Sequence, residues 1–75
     1  MPSISDAEMR AARLRYNAAY SAYQSCVIAL NEAVIAGQKA SDELLRNEAA
    51  ALRELTEARG KLLDALAKAA GELSA

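Results

Sequence analysis

Apolar residues recur along the first half of the chain in alternating steps of three and four. Met9, Tyr16, Tyr23 and Leu30 stand seven apart, and Arg13, Tyr20, Val27 and Val34 form an adjacent line. That spacing predicts a long helix with a helix–helix seam along these two lines. Beside them run Ala12, Ala19, Cys26 and Ala33, small enough at every step to let a partner backbone come close. A second apolar surface faces away from the seam: Leu14, Ile28 and Ile35, with Ala18, Ala22 and Ala29. From Tyr16 to Asn31 no residue is charged. A helix apolar on two sides needs two neighbours, so it is expected to be buried on most of its circumference, with Leu14, Ala18, Ala22, Ile28 and Ile35 as the candidate oligomer interface. The polar line Arg10, Asn17, Gln24 and Asn31 is expected to face water, with a register-fixing amide ladder at a subunit interface as the other reading.

The helix has clear ends. Ser5 followed by Glu8 is a capping box, Ile4 before the cap is positioned to pack on Met9, and Asp6 suits the positive end of the helix dipole and pairs with Arg10 one turn on. Gly37 fits the left-handed position that closes a helix. Ser41, with Asp42 and Glu43 behind it, opens a second helix after a short connection. Its seam is expected to run through Leu45, Leu52, Leu55, Leu62, Leu66, Ala69 and Leu73, with Ala51, Ala58 and Ala65 beside it. Asp42 with Arg46, Glu57 with Lys61 and Asp64 with Lys68 are set for ion pairs on an outer, solvated face. The second helix therefore reads as one-sided.

A connection this short makes the helices antiparallel neighbours. The expected fold is all-α: one domain over residues 1–75, a coiled-coil-like antiparallel two-helix hairpin with helix 1 at about 5–36, a turn at 37–40 and helix 2 at about 41–73. Seventy-five residues bury a modest core, and self-association is the common supplement, so the hairpin is expected to dimerise into a four-helix bundle.

Glu48 and Arg59 interrupt the second seam. Folding the chain about Gln38 and Lys39 brings Arg59 level with Tyr16, Tyr20 and Tyr23, where its stem packs on the rings and its head reaches water. The other reading is a ligand or partner site built from Arg59, the tyrosines and Arg13, with Tyr16, Tyr20 and Arg59 as the candidate partner surface. The same fold gathers Arg10, Arg13, Arg15, Lys61 and Lys68 at one end, among Asp6, Glu8, Asp64 and Glu72. Gly60 is expected to mark a close approach of the opposite helix near Tyr16 or Tyr20, with a break of helix 2 as the other reading. Gly71 is expected to fray the last turn.

Composition narrows the chemistry. With 9 basic against 10 acidic residues the net charge is −1, which argues against a strongly basic nucleic-acid module. There is no histidine, and the single Cys26 sits in an apolar helical run, where it reads as a small core residue. Glu54 with Glu57 and Asp42 with Glu43 are carboxylate pairs, but on a solvated face without a pocket. No catalytic residue, metal ligand or cofactor site is expected. The polar N-terminal segment lacks the form of a secretory signal, and Asn17, Ser21, Gln24, Ser25 and Asn31 make the longest apolar window too polar to span a bilayer, so a cytoplasmic setting without membrane partners is expected. The function these features point to is that of a non-catalytic regulator or adaptor, its partners a second copy of itself and another protein. The alternative is a Rop-like helical-bundle nucleic-acid binder using Arg10, Arg13, Arg15, Lys61 and Lys68, an analogy of architecture alone.

Overall fold

The computed structural model describes residues 5–74, with the side chains of residues 73 and 74 left aside. Two helices, α1 (Asp6–Ile35) and α2 (Asp42–Ser74), pack along their length into a rod of 56 × 18 × 15 Å. The described residues contain no strand.

Local chemistry fixes the ends. The Glu8 amide donates to Ser5 Oγ at 3.1 Å, and the Leu44 amide donates to Ser41 Oγ at the same distance, so each serine satisfies one orphan donor of its helix. At the other end of α1 the Gln38 amide donates to the Ala33 carbonyl (2.8 Å) and the Gly37 amide to the Val34 carbonyl (3.0 Å). These are the two bonds of a Schellman closure, and Gly37 takes the φ of +72° that it requires. The staple expected between Ile4 and Met9 lies outside the described residues, as does the seam role of the Leu73 side chain.

The seam differs from the expected one on both helices. On α1 the Met9–Tyr16–Tyr23–Leu30 line does turn inward, but its companion is the small line Ala12, Ala19, Cys26 and Ala33; Arg13, Tyr20 and Val34 are exposed. On α2 the inward residues are Leu44, Glu48, Ala51, Leu55, Ala58, Leu62, Ala65 and Ala69, while Leu45, Leu52 and Leu66 stand outside. Counted from the turn, Ala19 comes level with Ala58 and Ala12 with Ala65, and these alanine levels alternate with Tyr16 beside Leu62 and Tyr23 beside Leu55. Alanine facing alanine lets the backbones approach, and the large residues between then fill the space on either side. Placing Arg13 and Arg59 in the seam instead would bury charge without partners.

Among the described residues, the buried ones are accordingly small: Ala19, Ala58 and Ala65. Helix α1 is not buried on most of its circumference; in the hairpin only Ala19 of that helix is buried. Nor is α2 one-sided, since it exposes Leu45, Leu52, Leu63 and Leu66. Gly60 corrects another expectation. α2 runs through it unbroken, it is exposed, and a methyl group there would meet nothing within 4 Å, so it marks no close approach. The helix also continues past Gly71 to Ser74.

Candidate interaction surface

A single cross-hairpin contact sorts the two long sides of the rod. Arg15 reaches from α1 to Glu54 on α2 through two hydrogen bonds, Nε to Oε2 and Nη2 to Oε1, each 2.9 Å, with a longer contact from Nη2 to Glu57 Oε2 at 3.4 Å. The lines carrying Arg15 (Glu8, Arg15, Ala22, Ala29) and Glu54 (Asn47, Glu54, Lys61, Lys68) therefore border the seam on the same side. The lines bordering it on the other side must then face together: Arg13, Tyr20, Val27 and Val34 from α1, and Leu45, Leu52, Arg59 and Leu66 from α2.

The two sides differ in kind. The first, the carboxylate side, holds Glu8, Glu32, Glu43, Glu54, Glu57 and Asp64, and none of the large exposed apolar residues. Hydrogen bonding to Arg15, and then its charge, hold the Glu54 carboxyl below its ordinary range, while the same bonds raise the Arg15 guanidinium. Glu57 thus turns toward Arg15 across the hairpin. The second, the tyrosine side, is apolar along its middle. Tyr16 and Tyr20 stack with centroids 6.1 Å apart and planes at 27°, and Gln24 Nε2 donates to Tyr20 Oη at 3.2 Å. Tyr20, Tyr23, Gln24, Val27 and Ile28 line one shallow groove there; Leu52, Leu55, Thr56, Arg59, Gly60 and Leu63 line another.

The residues singled out from sequence fall as follows. Leu14, Ala18, Ala22, Ile28 and Ile35 are all exposed, but Ala22 lies on the Arg15 line while Leu14, Ile28 and Ile35 form the outermost line of α1. Tyr16 is half-buried, and Tyr20 and Arg59 are exposed on one side of the rod. The five basic residues do not form one patch: Arg15, Lys61 and Lys68 lie on the carboxylate side, with Lys61 and Lys68 in a groove beside Glu8 and Asp64, whereas Arg10 and Arg13 lie on the tyrosine side. Cys26 is half-buried.

Leu45, Leu52 and Leu66 are the surface residues that sequence reasoning missed, because large residues at heptad spacing read as seam. The signal that reveals them is Arg59 on the same line, matched by Arg13 on the line of Tyr20, since a line that carries an arginine is poorly suited to a dry seam.

Among the described residues no group of three or more His, Cys, Asp or Glu side chains is placed to hold a metal ion, and no helix is long and apolar enough to cross a membrane. The Ser25 and Thr56 hydroxyls each donate to a carbonyl one turn back (3.1 and 2.9 Å), a local use typical of helical serine and threonine. No protein-family model, no curated protein and no solved structure matches this chain.

Proposed function

We propose that this protein is non-catalytic and works by association, with a second copy of itself and with another protein, in the manner of a small regulator or adaptor. One observation carries the reading. Among the described residues only three alanines are buried, while nine large apolar residues remain between 43% and 85% exposed. A chain of 75 residues gains little stability from so thin a core, and exposed apolar surface of this extent marks sites that other surfaces cover.

Self-association is assigned to the outermost line of α1, Leu14, Ile28 and Ile35, which faces away from α2 and gives a four-helix bundle when two copies meet. The tyrosine side is then left for a different protein. The Rop-like nucleic-acid alternative draws less support: Arg15 is already paired with Glu54 and Glu57, and the remaining bases are divided between the two sides. Sedimentation equilibrium at micromolar concentration tests the proposal. A multiple of the 8.0 kDa chain mass is expected, falling to one chain for Ile28→Glu with helicity retained; a wild-type monomer rejects self-association.

A further inference from the structure

The two long sides differ in charge as well as in polarity. Of the six arginines, Arg10, Arg13 and Arg59 lie on the tyrosine side and Arg46 and Arg53 on the outermost line of α2; Arg15 is on the other side, and Glu54 and Glu57 occupy it. Carboxylates are scarce on the tyrosine side. Asp6 and Asp42 stand in the first turns, at opposite ends of the rod, and Glu48 is half-buried in the seam. The apolar surface of that side, with Tyr20, Val34, Leu45, Leu52 and Leu66 exposed, runs from the turn up to Arg59 and Arg13; Asp6 shares the end groove with Arg10 and Arg13, whereas the groove that Arg59 lines holds no carboxylate.

We propose that the tyrosine side binds an acidic amphipathic helix of another protein, laid along the trough between α1 and α2. This rests on the association reading above and names the partner of that surface. A third helix presents a convex apolar stripe that fits between two helices, and carboxylates flanking its stripe meet Arg13 and Arg59 within the trough and Arg10 at its edge. Charge complementarity of this kind sets partner choice and orientation.

A second copy of the chain supplies no such helix. Its carboxylate side has no large exposed apolar residue, and the apolar outer line of its α1, Leu14, Ile28 and Ile35, is bordered by one carboxylate, Glu32, and not by a row of them. A flat lipid surface fits less well, because the amides of Asn17, Gln24 and Asn31 stand on the α1 rim, where they would meet the acyl region before the trough did.

The test uses the full chain and three probes: a fluorescein-labelled amphipathic peptide of about 28 residues, matching about 42 Å of trough, with a leucine stripe flanked by glutamates; the same peptide with lysines for glutamates; and vesicles containing phosphatidylserine. Fluorescence anisotropy should show the glutamate peptide binding about tenfold more tightly than the lysine peptide at low salt, with the gap narrowing at moderate salt. Arg13→Glu combined with Arg59→Glu should reverse that preference, with circular dichroism unchanged; Arg59→Gln alone should weaken glutamate-peptide binding if the double variant does not fold. Equal affinity for the two peptides, binding of neither, or retention by the vesicles without binding of the glutamate peptide overturns the proposal. Sedimentation in parallel separates the two readings, since a monomer that binds the glutamate peptide removes self-association alone, and an oligomer that ignores it removes only the acidic helix.

Discussion

Arg15 and Glu54, 39 positions apart in sequence, are joined across the hairpin by two parallel hydrogen bonds of 2.9 Å. Both side chains are close to half exposed, so the pair fixes register and sidedness more than it stabilises. Its pH dependence has a definite sign. The Glu54 pKa is lower in the folded hairpin than in the unfolded chain, so its contribution is fully present above the unfolded value and is lost as pH falls through the folded one. The thermal midpoint of Glu54→Gln should therefore lie slightly below wild type at neutral pH and converge with it in acid, and added salt should narrow the difference at neutral pH. A midpoint gap that persists unchanged into strong acid would contradict the assignment.

Two glycines predict opposite outcomes for the same substitution. Gly60 is exposed, helical and unobstructed, so Gly60→Ala should stabilise the hairpin by about 0.5–1 kcal/mol in urea denaturation. Gly37 also has open space around it, but its φ of +72° costs an L residue about 1 kcal/mol, so Gly37→Ala should destabilise.

The alanine levels give a sharper test of the seam. Ala58 has 0% of its surface exposed, and Ala58→Leu should cost about 1–3 kcal/mol by forcing the backbones apart. Ala50→Leu, on the exposed carboxylate side, should change stability by less than about 0.5 kcal/mol. If the two variants melt alike, the seam does not run through Ala58.

Arg59 is exposed, and Arg59→Met keeps much of its stem while removing the charge. Thermal denaturation should place it within about 0.5 kcal/mol of wild type. A large loss of stability would mean that the guanidinium is part of the hairpin's own packing rather than a group held out to a partner.

Much of the fold was legible in the sequence because its determinants are local. Ser5 and Ser41 act on amides three residues ahead, Gly37 closes a helix through bonds to Val34 and Ala33, and a connection so short leaves α2 little choice but to run back along α1. The candidate surface was legible only in outline: Tyr20 and Arg59 could be placed near each other, but Leu45, Leu52 and Leu66 could not be told from core. Each helix offers adjacent lines of suitable spacing, and nothing within one helix decides which of them turns inward. That decision belongs to the pair. Ala12 and Ala19 favour the inward position because Ala65 and Ala58 come level with them on α2, which allows close approach, and the lines carrying Arg13 and Arg59 are left outside because a seam without partners for them would leave buried charge unpaired. Local signals along the chain dictate two capped helices, their turn and their antiparallel run; the packing of one helix on the other selects which lines form the seam, and so brings Tyr20, Leu45, Leu52 and Leu66 together with three of the six arginines on one open side.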